Sequence, residues 1–253
     1  MNEIVLLCQY AVSSDDFDSS RFSGGDAAIY KLPPKVFLRH LDAIVKANSR
    51  ALLTFDDVDV SAYSYIADEL EERGWRGYFF IATNWIGKPG FLNASQIRDL
   101  RERGHIIGSH SCSNPTRMSR HTLGDIIHEW SLSSAVLTDI LSERVLTASV
   151  PGGYYSEKVA RAAAIAGLET LFTSEPTTHT DFVEGCLVKG RFMIQRNTSA
   201  RTAAALARGA AVPQFRQLVW WNSKKALKAI GGRAWVNFRN RVLACKGELR
   251  ARS

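Results

Sequence analysis

The sequence predicts an α/β protein: an irregular (β/α) barrel over residues 1–210, followed by a basic helical extension over residues 211–253. Three observations carry this. Short apolar runs alternate with amphipathic or alanine-rich stretches over brief links, the pattern of parallel strands joined by right-handed crossovers. Polar clusters stand where those runs end, the side of the sheet on which α/β proteins handle ligands. From Ala211 onward, ten Lys or Arg face the single acid Glu248, a local net of +9, which leaves −2 for the rest of a chain whose total is +7.

Taken in order, Ile4 to Leu7 reads as the first strand, followed by a long polar loop from Ser13 to Lys31 that either packs over a site or moves. Pro33 and Pro34 open a helix with Val36, Phe37, Leu38, Leu41, Ile44 and Val45 on its apolar stripe. Leu52 to Phe55 is a buried strand that ends abruptly in Asp56 and Asp57. Tyr63 to Arg73 is helical, with Tyr63, Ile66 and Leu70 on one face and Gly74 as its stop. Gly77 to Ala82 is an aromatic-rich strand, and Asn93 with Gln96 has the spacing of a capping box. His105 to Gly108 is a strand that delivers Ser109 to Pro115.

The longest helix is expected from Leu123 to Leu141, then a strand from Leu146 to Val150 entering Pro151-Gly152-Gly153-Tyr154. Ser156 is placed to cap a helix from Glu157 to Ala166. Leu168 to Thr173 and Val188 to Ile194 read as the last strands, the second with Arg191 inside it, and Pro176 to Asp181 between them as a polar loop. Phe215 to Ile230 and Trp235 to Leu243 read as basic amphipathic helices.

At 253 residues and 45% apolar content, the chain has ample material for a core. Its first residues are apolar but carry Glu3 and lack a basic leader, so they read as a strand and not a signal peptide. No apolar run reaches the roughly 18 residues of a membrane span. Cys8, Cys112, Cys186 and Cys245 form no CxxC pair, which argues against a zinc ribbon or a disulfide framework and for a reducing cytoplasm.

Asp56 and Asp57 have two readings. An isolated Asp-Asp caps a turn; two carboxylates in a partly dry mouth share a proton or bind a cation. His110 and Asn114 leave another strand end in the same manner, which makes a mixed oxygen and nitrogen cation site available.

Three stretches carry a resemblance: Thr54-Phe55-Asp56-Asp57 with Ser61 and Tyr63 beyond it, Gly104-His105-Ile106-Ile107-Gly108-Ser109-His110-Ser111, and Ser149-Val150-Pro151-Gly152-Gly153. With Tyr78 to Ile81 and Phe91-Leu92 between them, the sequence resembles the polysaccharide deacetylase family, the group with the NodB homology domain and carbohydrate esterase family 4, over residues 4–195. The resemblance implies a barrel of that type. It makes Asp56 the base that activates a metal-bound water, Asp57 and His110 metal ligands, and Asn114 the third ligand in a place the family fills with histidine. The implied cofactor is a divalent ion, zinc first, with cobalt, nickel and manganese as alternatives. Substrate contacts fall on Ser149, Pro151, Gly152, Gly153, Tyr154 and Arg191, with the backbone near Pro151 and Gly152 at the oxyanion.

The chain departs from that pattern at Ser149, where the family has an arginine that orients the base. It departs again at Thr173 to Pro176, which lack the fourth motif, and at Arg191 to Ile194, where the acid histidine is missing. His179 is the nearest replacement in sequence; its plainer reading is an exposed loop residue. His40, His121 and His128 fall on helices and read as surface or packing residues. Arg191 orients a carboxylate, holds an anionic sugar or pairs structurally.

The expected activity is metal-dependent removal of an N-acetyl or N-formyl group from a sugar in surface polysaccharide synthesis of the O-antigen or exopolysaccharide type. The alternative is a carbohydrate-binding or assembly protein that kept the fold and lost the chemistry. Without an export signal the substrate is lipid-linked or nucleotide-linked, in the cytoplasm or at its membrane face. Residues 211–253 then either touch the inner leaflet or pack on the barrel, and no nucleic-acid motif accompanies their charge.

Overall fold

The computed structural model describes residues 3–8, 33–47, 50–115 and 117–223. The expected loop from Ser13 to Lys31, and everything expected beyond residue 223, lie outside these.

Each half-unit forms for a local reason. Strand β1 (Val5–Cys8) is buried along its whole length. Helix α1 (Pro34–Lys46) starts at a proline, whose fixed φ suits the first helical position, and buries Phe37, His40, Leu41 and Ile44 at helical spacing. Strand β2 (Leu52–Phe55) follows. The expected helix after it opens as a π-helical turn, Ala62–Ile66, before α2 (Ala67–Glu71). Such turns cluster near functional sites. After β3 (Gly77–Ile81), the capping box at Asn93 is present with both reciprocal bonds and starts α3 (Ala94–Glu102). Strand β4 (Ile106–Ser109) leads to α4 (Leu123–Leu141), which has its own capping box from Thr122 and Asp125.

Strand β5 (Thr147–Ser149), α5 (Glu157–Ile165) and β6 (Thr170–Phe172) complete the regular alternation. Ser156 stands at the N-cap of α5, but its hydroxyl makes no capping bond and is buried without a partner. The expected polar loop is instead partly a strand: β7 (Thr180–Val183) pairs antiparallel with β8 (Cys186–Lys189) through the Glu184-Gly185 turn. The single strand expected from Val188 to Ile194 is broken at Gly190 and Arg191, and β9 is Phe192–Ile194. A β-carbon on Gly190 would sit 2.5 Å from the Glu175 carbonyl oxygen, so the chain bends there against that backbone. Helix α6 (Ala200–Ala207) follows, and residues 211–223 form the helical segment α7.

The described strands form one nine-stranded sheet in the order β7-β8-β6-β5-β4-β3-β2-β1-β9. Every pairing is parallel except β7 with β8. Strand β8 pairs with β6 and β9 with β1, and the two are consecutive in the chain, so the bend at Gly190-Arg191 closes the sheet into an irregular barrel. The chain α7 enters is tied to that seam: the Gln217 side chain accepts from the Met193 backbone N–H at 2.9 Å and donates to its carbonyl at 2.8 Å. Apolar clusters fill the space between strands and helices, with Leu53, Phe79 and Ile97 in one and Trp130, Leu171 and Val159 in another.

Candidate active site

The carboxyl ends of β2, β4, β5 and β6 open on one rim, and the two polar clusters meet there. Asp56 stands one residue past β2, and its side chain is 5% exposed, turned toward Arg191. Arg191 grips it with two parallel bonds, Nη1 to Oδ1 at 2.8 Å and Nη2 to Oδ2 at 2.7 Å. Ser149 at the end of β5 donates to Oδ2 at 2.9 Å and accepts from Arg191 Nη2 at 2.8 Å. The rest of the guanidinium is also engaged: Nε donates to the Thr173 carbonyl at 2.8 Å and Nη1 to the Thr54 hydroxyl at 3.1 Å. Its carbon lies 5.9 Å from the centre of the Phe80 ring.

Of the three readings of Arg191, the geometry matches the one in which it orients a carboxylate. As substrate contacts, the other expectation for it and for Ser149, both are too buried, at 1% and 0% exposed. They stand behind Asp56 and hold it. Burial alone would raise the Asp56 carboxyl, but the Arg191 and His110 charges and the bonds from Arg191 and Ser149 override it and keep the group below its usual range. The carboxylate is therefore ionised at neutral pH and fixed in orientation. The arginine missing from the β5 motif is replaced in effect by one from the β8–β9 bend.

Asp57 adopts a left-handed backbone, φ 52°, so two adjacent carboxylates find different partners. Asp57 Oδ1 lies 3.4 Å from His110 Nε2 and accepts from the Asn114 side-chain amide at 2.6 Å. Ser111 and Asn114 are also left-handed, with φ of 61° and 55°. Strained residues of this kind cost on the order of 1–3 kcal/mol each and concentrate at functional sites. Here they fold the segment after β4 back over Asp57.

That segment is pinned from α4. Glu129 accepts from the Cys112 N–H at 2.9 Å, the Ser113 N–H at 2.8 Å and the Ser113 hydroxyl at 2.7 Å. Ser109 meets the Ser133 hydroxyl at 2.7 Å, and the Ser111 hydroxyl accepts from the Asn114 N–H at 3.1 Å. Sequence reading missed Glu129, since a glutamate on an amphipathic helix gives no local sign that it caps a loop. Replacing it with Ala is expected to leave the part-buried Cys112 N–H without its acceptor, return the exposed Ser113 donors to water, and cost about 1 kcal/mol in a chemical melt. Were Asp57, His110 and Asn114 to hold a divalent ion, the same substitution would weaken its binding by roughly 10- to 100-fold in titration calorimetry, as when supports of metal ligands are removed.

The residues at Asp57 fit a divalent cation. One carboxylate, one imidazole and one amide converge, and the His110 Nδ1 is buried with no hydrogen-bond partner, leaving Nε2 aimed at Asp57. Among the described residues no third His, Cys, Asp or Glu completes a metal cluster. Asn114 would be the third donor to such an ion, since a half-turn of its amide presents oxygen in place of nitrogen. Burial raises the Asp57 carboxyl above its usual value, with the Asp56 charge adding to this and His110 opposing it. A bound cation would relieve that cost.

The loop after β5 forms the next wall. Pro151–Gly153 is a 3-10 turn with positive φ at both glycines. A β-carbon on Gly153 would lie 2.7 Å from Ser174, so glycine is required by space as well as by backbone. Tyr154 lies with its ring 5.8 Å from the Arg117 guanidinium carbon.

Other candidates separate from the site. His179 is exposed and ion-paired with Asp181 at 2.9 Å. His105 is buried against Glu71 at 2.8 Å and donates nothing to the rim. His40 is buried on α1 against the Thr198 carbonyl, His128 is an exposed helix residue, and His121 ends a 3-10 turn. Cys8, Cys112 and Cys186 are free and buried. Burial pushes the Cys8 thiol up to about 12, against the opposing charge of Arg191, so it stays protonated and is no nucleophile.

A family model described as polysaccharide deacetylase matches residues 45–171. A chitin deacetylase from Colletotrichum lindemuthianum is 33% identical over 64 residues, 25% of this chain and 26% of that protein. The chain thus spans about a quarter of the length of the curated relative it matches. Among solved structures, the Streptococcus pyogenes deacetylase PplD in complex with acetate superposes with a TM-score of 0.67 at 16% identity, covering 82% of this chain and 98% of that one. IcaB from Ammonifex degensii gives 0.65 at 17% identity, covering 81% and 97%. At such identities these two share the fold.

Proposed function

The chain belongs to the polysaccharide deacetylase family, and from that premise we propose that it hydrolyses an N-acyl group, acetyl or formyl, from a sugar of a surface polysaccharide pathway. The observation that carries this reading is the buried Asp56 carboxylate, held by Arg191 and Ser149 beside the Asp57, His110 and Asn114 cluster. Asp57, His110 and Asn114 would hold a divalent ion, zinc first. When bound, such an ion lowers the pKa of a water and polarises a carbonyl.

The chain's own residues supply the rest. Asp56, fixed and ionised, takes a proton from the water as its oxygen attacks the acyl carbon. With His110 assigned to the ion, no other histidine is placed beside Asp56 among the described residues, so Asp56 also returns that proton to the amine nitrogen as the C–N bond breaks. The products are a free amine and a carboxylate. The loop at Gly152 and Gly153 brings backbone against the reacting carbonyl.

The test is release of acetate or formate from lipid-linked and nucleotide-linked N-acyl amino sugars, with metal content measured alongside. Absence of turnover with a carbohydrate still bound would favour a binding or assembly role, which the missing acid histidine also supports. Replacing Asn114 with His is expected to tighten divalent-ion binding at least tenfold, because imidazole donates more charge than an amide and His tolerates a left-handed backbone. Competition against a chromogenic chelator measures it.

The exposed face of α7 favours a further element of this reading. Val212, Phe215, Val219 and Trp220 are 71%, 65%, 47% and 47% exposed, and the sequence beyond them is strongly basic. Residues 211–253 are proposed to contact an anionic bilayer peripherally at its cytoplasmic face; no described helix is long and apolar enough to cross one. Co-sedimentation with phosphatidylserine vesicles, lost on Phe215→Ser and Val219→Ser, is the expected result.

A further inference from the structure

A cavity of about 670 Å³ lies between α6 and α7, outside the Asp56 and Asp57 site, and no step described above uses it. Its size falls within the range of small-molecule sites, roughly 300–1,000 Å³. It opens on the same rim as the acid cluster. Ser174, which lines it, is the residue that crowds Gly153 at 2.7 Å, and the Trp221 ring reaches 3.6 Å from the same point. Met193, another lining residue, is two positions past Arg191.

The chemistry of its walls is specific in kind. Arg201 on α6 and Arg216 on α7 both line it, and among the described residues neither guanidinium has a carboxylate partner. Gln195 and Thr202 add polar groups, while Trp220 and Trp221 add flat apolar area. Among the described residues no acidic side chain lines it. Two arginines from the helices on either side, with no acid among the described lining residues, match a doubly charged anion with several acceptor oxygens, and a guanidinium presents paired donors to phosphate. A neutral glycan would leave both charges unanswered.

We propose that this cavity is a phosphoryl subsite: Arg201 and Arg216 bind the phosphate or diphosphate borne by the sugar substrate while the sugar extends past Ser174 and Gly153 toward Asp56. The proposal rests on the deacylase reading for its orientation, but the anion site stands on the cavity itself. A lipid-linked and a nucleotide-linked sugar share this chemistry. The exposed apolar stripe of α7 beside the cavity accommodates the lipid; Trp221 offers a surface for a base.

The test uses the full chain and inorganic pyrophosphate as probe, measured by titration calorimetry at fixed salt. Pyrophosphate should bind wild type, and Arg201→Gln with Arg216→Gln should weaken it about tenfold or more. Arg208→Gln, which removes an exposed charge outside the cavity, and Asp56→Asn should leave binding within twofold. Equal weakening by Arg208→Gln, or no effect of the paired substitution, overturns the subsite, as does absence of binding to wild type.

A second arm compares acyl release from undecaprenyl diphosphate N-acetylglucosamine, uridine diphosphate N-acetylglucosamine and the neutral methyl glycoside. The paired substitution should raise KM for a phosphorylated substrate about tenfold and leave the methyl glycoside unchanged; a uniform effect on all three overturns the proposal. Preference between the first two identifies the source of the phosphate. If none is turned over yet pyrophosphate binding still depends on both arginines, the deacylase reading fails and the anion site survives.

Discussion

Replacing Arg191 with Ala is expected to lower stability by about 3–5 kcal/mol and to take hydrolysis to background. Both partners of the Arg191 and Asp56 pair are almost fully buried, and breaking such a pair from one side leaves an uncompensated charge in a dry place. Arg191 also donates to Thr54 on β2, Ser149 on β5 and the Thr173 carbonyl just past β6, so its removal frees acceptors on three segments inside the barrel. Arg191→Lys keeps the charge but loses the fork that grips both oxygens, and should retain much of the stability while losing most of the rate. Urea melts and acyl-release assays on both variants measure this. An Arg191→Ala protein that melts with wild type and turns over within threefold would remove the clamp from the mechanism.

The same pair sets a pH dependence. The clamp holds the Asp56 carboxyl below its ordinary 3.8, so its stabilisation is complete above that pH and is lost as pH falls through the lower native value. Asp57, held above its ordinary value, works the other way. Both proteins share Asp57, so the gap in melting temperature between wild type and Arg191→Ala should narrow as pH is taken below 3.8.

Asp56→Asn should reduce the rate by roughly 10²- to 10⁴-fold, the scale of general acid–base catalysis, with bound metal retained. The amide keeps the shape and can still accept from Arg191, but it takes no proton. Loss of rate with metal content unchanged separates Asp56 from Asp57, whose replacement by Asn should instead release the ion. Were Asp56→Asn to lose metal as well, the two aspartates would share one role; were its rate normal, Asp56 would have none.

Much of this molecule is written locally. Apolar runs of strand length, Pro33-Pro34, and the Asn93 with Gln96 pair fix where elements begin, because each depends on neighbours a few residues away. The position of Asp56, Asp57 and His110 at strand ends follows from the same alternation, since a charge at the exit of a buried run has only the rim to occupy. The short β7 strand escaped because its residues are largely exposed, with Phe182 and Val183 side by side in place of an alternating apolar period to mark them.

What the tertiary structure alone decided is who answers whom across the barrel. Arg191 reaches a carboxylate 135 positions earlier, Ser149 one 93 positions earlier, and Asn114 one 57 positions earlier. No propensity or spacing encodes such pairings. They exist because the bend at Gly190 closes the sheet and brings the last strands beside the first, where a buried charge must find its opposite within bonding distance.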